Sequence, residues 1–88
     1  MEVVFLPTAN EDLIFWKKSG NITIQNKIHQ LLIAISNSPF EGIGKPEALK
    51  HKLTGKWSRR INSEHRIVYE VLEKEQIIKI HSLKSHYN

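Results

Sequence analysis

Arg66-Ile67-Val68-Tyr69-Glu70-Val71-Leu72, then Glu73-Lys74-Glu75, then Ile77-Ile78-Lys79-Ile80-His81-Ser82-Leu83, is the stretch that decides the fold. Two runs rich in β-branched residues flank a short charged turn, the pattern of an antiparallel hairpin. Side chains alternate across a strand with a period of two. Ile67, Tyr69 and Val71 therefore share a face that needs an apolar cover, and Arg66, Val68 and Glu70 share the opposite one. Upstream, Lys50-His51-Lys52-Leu53 and Trp57-Ser58-Arg59-Arg60-Ile61 lie either side of Thr54-Gly55 and read as a further hairpin. Asn62-Ser63-Glu64 forms the turn that leads into Arg66.

The cover comes from the first half of the chain. Val3-Val4-Phe5-Leu6 reads as a short strand closed by Pro7. Thr8 to Glu11 has the Thr-x-x-Glu spacing of a capping box, which predicts a helix starting near Ala9, running through Leu13, Ile14 and Trp16 and stopping at Ser19-Gly20. A second helix begins after Asn21. Its Ile24, Ile28, Leu31, Leu32 and Ile35 recur at helical spacing as one stripe, and Ser38-Pro39 ends it because a residue before proline avoids helical geometry. Phe40 to Leu49, punctuated by Gly42, Gly44 and Pro46, is irregular. The order predicts an α+β fold: an N-terminal strand, a helical hairpin, then antiparallel strands in one sheet with the helices on one face.

Eighty-eight residues without a repeat or a linker predict one domain over 1–88. The chain has no cysteine, which removes disulfide staples, the common zinc sites and thiol nucleophiles, and fits a reducing cytoplasm. Its longest apolar run, Leu31 to Ile35, is far short of the roughly 20 residues of a membrane span. The N-terminus lacks a signal-peptide pattern. His81 and His86, five apart, make a poor metal pair. Gly42-Ile43-Gly44-Lys45 lacks the spacing of a phosphate loop, and no serine stands in a nucleophile elbow.

The net charge of +4 is unevenly placed. Between Lys45 and Arg66 lie seven cations (Lys45, Lys50, Lys52, Lys56, Arg59, Arg60 and Arg66) against Glu47 and Glu64, a local +5, with −1 on the rest of the chain. All three arginines fall in that window beside Trp57. Guanidinium forks suit phosphate oxygens and an indole can stack on a base, so the window reads as a nucleic-acid-binding face. The plain alternative is a solvated lysine-rich surface.

Within reach of that face are a carboxylate (Glu47), a histidine (His86) and several cations, the groups that metal-free RNA cleavage needs. A carboxylate takes the 2′-OH proton, a histidine protonates the departing 5′-oxygen, and cations hold the phosphorane. Each residue also has a structural alternative. Glu47 could be a solvated loop acid, Arg66 a strand residue paired with Glu64 or Glu70, His86 part of a fraying tail, Tyr87 a packing residue and Trp57 part of the core.

Three blocks then stand out: Pro39-Phe40-Glu41-Gly42-Ile43-Gly44-Lys45-Pro46-Glu47-Ala48-Leu49-Lys50-His51, Gly55-Lys56-Trp57-Ser58-Arg59-Arg60-Ile61, and Glu64-His65-Arg66-Ile67-Val68-Tyr69. With the terminal His86-Tyr87, the sequence closely resembles the YoeB toxins of the RelE/ParE superfamily over nearly its whole length. The resemblance implies a RelE-like, microbial-RNase-like fold and a ribosome-dependent mRNA endonuclease that cuts the codon in the ribosomal A site. It implies Glu47 as general base, Arg66 as the transition-state arginine, His86 as general acid and Tyr87 as an orienting neighbour. Lys50 matches a phosphate-contacting lysine, and Lys45, His51, Arg59 and Arg60 match basic positions along the RNA. The implied products are a 2′,3′-cyclic phosphate or its opened 3′-phosphate and a 5′-OH, with no metal or other cofactor. The implied partners are a YefM-type antitoxin, the ribosome and mRNA, a second copy of the chain, and operator DNA only through the antitoxin complex. Asn88 departs from the family pattern by extending past the tyrosine, and His81 is an added histidine. The competing expectations are a non-catalytic RelE/ParE-fold toxin that blocks a target such as gyrase, and a basic nucleic-acid-binding domain. Glu47, Arg66 and His86 together favour the enzyme.

Overall fold

The computed structural model describes residues 1–84 of the chain. The elements run β1 (Glu2–Phe5), α1 (Pro7–Ser19), α2 (Ile22–Asn37), β2 (Glu47–Ala48), a single 3₁₀ turn (His51–Leu53), β3 (Lys56–Arg60), β4 (Arg66–Leu72) and β5 (Ile77–Ser82). The five strands form one sheet in the order β1-β5-β4-β3-β2. β1 lies parallel to β5 and every other pairing is antiparallel. The expected α+β architecture is present, and no helix among the described residues is long and apolar enough to cross a membrane.

The helical stripe does what its spacing requires. Ile24, Ile28, Leu31 and Ile35 are buried, Leu32 packs beside them, and together they meet Ile67, Tyr69, Ile78 and Ile80 on one face of the sheet. The Asn21 side chain caps α2 by accepting from the Ile24 amide. α1 contributes Ala9 and Trp16 to the core. It also pins the end of the sheet: the Trp16 indole donates to the Leu83 carbonyl at 2.9 Å, and Asp12 accepts from the Leu83 amide at 2.9 Å. Two hydrogen bonds of high sequence separation thus fix the strand end to the first helix.

Two local expectations fail. The Thr8–Glu11 capping box does not form, because α1 starts two residues earlier with Leu6 as N-cap and Pro7 in the first turn. Proline's fixed φ and missing amide suit that position, and Thr8 is left inside the helix. Lys50–Leu53 is not a strand. The strand partner of β3 lies upstream at Glu47–Ala48, and the pairing ends at a Leu49 amide to Lys56 carbonyl bond. Beyond it, His51 takes a left-handed φ of +59° and the chain closes a 3₁₀ turn. The later turn is as expected: Asn62 Oδ1 accepts from the Glu64 and His65 amides and reverses the chain into β4.

Gly44 is where backbone, helix and sheet come closest. Its φ is +83°, and a Cβ there would sit 2.8 Å from Leu31 Cδ2, 3.1 Å from Arg59 Cβ and 3.2 Å from the Arg60 carbonyl oxygen. Gly20 has a similar φ of +73° but open space around it. Both alanine variants suffer the left-handed strain, and only Gly44→Ala adds overpacking. Denaturant unfolding is expected to show Gly44→Ala losing about 1–3 kcal/mol more than Gly20→Ala. Equal losses would mean that the close approach carries no energy.

Candidate active site

The outward face of the sheet, opposite the helices, carries the polar side chains. Directly opposed residues on paired strands share a face, so the register places Glu47, Ser58, Val68 and Ser82 in one row across β2, β3, β4 and β5. The next row opposes Arg60 to Arg66, and Lys56 opposes Glu70, which opposes Lys79. Of the carboxylates near Arg66, Glu64 lies 3.6 Å from His65, and Glu70 meets His81 Nε2 at 3.1 Å. Arg66 Nη1 instead lies 3.9 Å from Glu47 Oε1. The Glu47 side chain is 57% exposed and that of Arg66 only 17%. At 3.9 Å the contact is an ion pair and not a hydrogen bond. Arg60 stands directly across from Arg66 on the neighbouring strand, so two cations belong to this part of the sheet.

The other residues picked out by the sequence fall around this pair. Glu47, Lys50 and His51 line one groove of about 570 Å³, built from the β2 end and the 3₁₀ turn. Lys45, with a left-handed φ of +52°, and Arg60 line a second groove of about 370 Å³. Arg59 does not belong to the surface. It is fully buried, because it faces the helix side of β3 opposite Ile67, and the expected place along RNA is corrected to a place in the interior. Trp57 shares that inward face and packs on the core with its ring 5.0 Å from Phe40, so it offers no stacking platform beside Glu47. His86 and Tyr87 lie outside the described residues. The last described segment, Leu83-Lys84, is held by α1, with Lys84 Nζ 3.9 Å from the Phe15 ring centroid in addition to the two bonds at Leu83.

The outward sheet face is thus basic, with Glu47 set against Arg66 at the end of a loop that contains Gly42 and Gly44. Residues 5–87 match the family described as YoeB-like toxin of bacterial type II toxin–antitoxin systems. The chain belongs to that family. It is 41% identical over 87 residues to toxin YoeB of Synechocystis, covering 99% of this chain and 98% of the relative. It superposes on a YoeB/ParE toxin from Agrobacterium tumefaciens with a TM-score of 0.93 and 37% identity, covering 99% and 100% of the two chains. YoeB of Staphylococcus aureus, seen in a heterotetrameric YoeB–YefM complex, gives a TM-score of 0.86 and 45% identity over 99% of this chain and 98% of the other. The same staphylococcal toxin has also been solved as a dimer.

In this YoeB-family toxin the loop that delivers Glu47 is organised by Arg59. Its Nε donates to the Tyr69 hydroxyl at 3.1 Å, Nη1 to the Ile43 carbonyl at 3.2 Å, and Nη2 to the carbonyls of Glu41 at 2.9 Å and of Ser38. Tyr69 passes the network on, donating to the Pro39 carbonyl at 2.6 Å. Four of the five guanidinium donors are thereby used on segment 38–43 and the sheet. Neither this network nor Ser58 was read from the sequence as part of the site. Ser58 is buried, and its Oγ has no hydrogen-bond partner among the described residues. The signal for both was the alternation in Trp57-Ser58-Arg59-Arg60, which sends Arg59 inward and Ser58 outward.

Burial raises the Tyr69 hydroxyl above its ordinary pKa of 10.0, against the opposing pull of the Arg59 hydrogen bond and charge. A folded-state value above the unfolded one gives stability that is whole below pH 10 and lost as pH climbs through the folded value. Tyr69→Phe is expected to cost about 1–3 kcal/mol near neutral pH by stranding the Pro39 carbonyl and Arg59 Nε. The gap between wild type and variant should shrink above pH 10. Chemical unfolding at pH 7 and at several values above 10 checks both; a gap constant with pH would rule out the buried hydroxyl as its source.

Proposed function

We propose that this toxin is a ribosome-dependent mRNA endonuclease that cuts in the A site and so stops translation. The observation that carries the reading is the Glu47–Arg66 pair at 3.9 Å on the outward sheet face, with Arg60 directly across from Arg66. Phosphate oxygens of the RNA bind Arg66, with Arg60, Lys45 and Lys50 holding the flanking backbone. Glu47, parted from Arg66, takes the proton of the 2′-OH as that oxygen attacks phosphorus. His86 protonates the leaving 5′-oxygen and Tyr87 orients the substrate, roles that follow from the family resemblance. The products are a 2′,3′-cyclic phosphate and a 5′-OH, and charge gathering on the phosphorane is met by Arg66. The chemistry uses no metal.

An antitoxin of the YefM type is the natural inhibitor, since the staphylococcal relative is held in a YoeB–YefM complex. An acidic, disordered segment that folds on contact complements the +5 window. The staphylococcal dimer supports self-association of this chain as well.

Primer extension on translated mRNA after induction tests the reading. Wild type should give stops in frame at A-site codons, and Glu47→Ala should weaken them by about 100-fold or more, the contribution of a positioned base. Absence of stops with wild type, or undiminished stops with Glu47→Ala, would refute the assignment.

A further inference from the structure

Ser58 lies at the centre of the outward face, directly across from Glu47 on one side and from Val68 on the other. Its side chain is buried, and its hydroxyl is unpartnered among the described residues. Buried hydroxyls are nearly always bonded, so one left open calls for a physical reason. Packing supplies none, because alanine would fill the same place without a stranded hydroxyl. Geometry supplies one. Opposed residues on an antiparallel pair have Cβ atoms about 4.5–5.5 Å apart, which brings a serine hydroxyl within a rotamer change of a facing carboxylate. The contact Glu47 makes with Arg66, at 3.9 Å, is longer than a hydrogen bond.

We propose that Ser58 is a positioning residue for Glu47. When an RNA phosphate occupies Arg66, the carboxylate leaves the guanidinium and one of its oxygens accepts a hydrogen bond from the Ser58 hydroxyl. The other oxygen is then fixed toward the 2′-OH whose proton it takes. Ser58 itself forms no bond to substrate and loses no proton. The unpartnered hydroxyl of the free protein is the partner held for the substrate-bound carboxylate. This rests on the reading of Glu47 as the general base.

Single-turnover cleavage of a short mRNA on programmed ribosomes, with wild type, Ser58→Ala, Glu47→Gln and the double variant, tests it. Ser58→Ala should unfold at or above the wild-type temperature, since it removes a stranded polar group. Its maximal rate should fall about tenfold, the scale of one hydrogen bond to a charged group, with the half-saturating toxin concentration unchanged. In the Glu47→Gln background, Ser58→Ala should change the residual rate less than about twofold, because a residue acting through Glu47 has nothing left to orient. A wild-type rate for Ser58→Ala, an equal fall in both backgrounds, or a lowered unfolding temperature would overturn the role of Ser58. Full activity of Glu47→Gln would instead overturn the reading of Glu47 on which it rests.

Discussion

The rest of the molecule depends on one buried cation. Taking a guanidinium out of water is expensive unless its donors are satisfied. Arg59 meets that demand with dipoles: the carbonyls of Ser38, Glu41 and Ile43 and the hydroxyl of Tyr69. The requirement runs both ways. Those carbonyls belong to a segment without regular structure, and it is ordered because Arg59 needs it there. Gly42 and Gly44 let the loop approach, since a Cβ at Gly42 would come 3.2 Å from Arg59 Nη1. The Arg60 amide then donates to the Gly44 carbonyl at 2.7 Å, and three residues later the chain enters the sheet as Glu47. The carboxylate on one face is placed by a cation buried under the other.

This division explains what the sequence disclosed and what it hid. Patterns that repeat were legible. The α2 stripe, the β4–β5 hairpin and the outward turn of Arg66 each rest on several residues agreeing with one period. What depends on a single backbone angle was not. The left-handed His51 turns Lys50–Leu53 out of the sheet, although its composition suits a strand, and Pro7 takes the helix start from Thr8. Arg59 is a different case. The period that turned Arg66 outward also turns Arg59 inward, but arginine is so rarely buried that charge outweighed alternation. Of the candidate site, the Glu47–Arg66 pairing was open in the sequence because Glu64 and Glu70 were equally near; the register of β2 on β3, two residues long, selects Glu47.

Moving Arg59 inside also changes the meaning of the local charge. The +5 window is not a uniform face. One of its arginines is spent on the interior, two stand opposed on the outer sheet, and Lys45, Lys50 and Lys52 ring the loops as exposed point charges. Lysines that are flexible and solvated attract a polyanion at long range, and rigid guanidiniums fix one phosphate at short range. On the proposed reading the window is therefore graded, with diffuse attraction at its edges and geometry at its centre.

Stability and chemistry are carried by different faces of the same strands. Along β3, Trp57 and Arg59 hold the loop and core, and Ser58 and Arg60 look out on the site; along β4, Ile67 and Tyr69 alternate with Arg66 and Val68 in the same way. The Glu47–Arg66 contact, at 3.9 Å, joins an exposed carboxylate on β2 to a mostly covered guanidinium on β4, and Arg60 stands across from Arg66 on β3. The inner face carries the tightly bonded network, and the outer face carries the charged groups. On the proposed reading, that separation lets the outer face exchange its charge contacts for substrate while the buried network holds the strands in place.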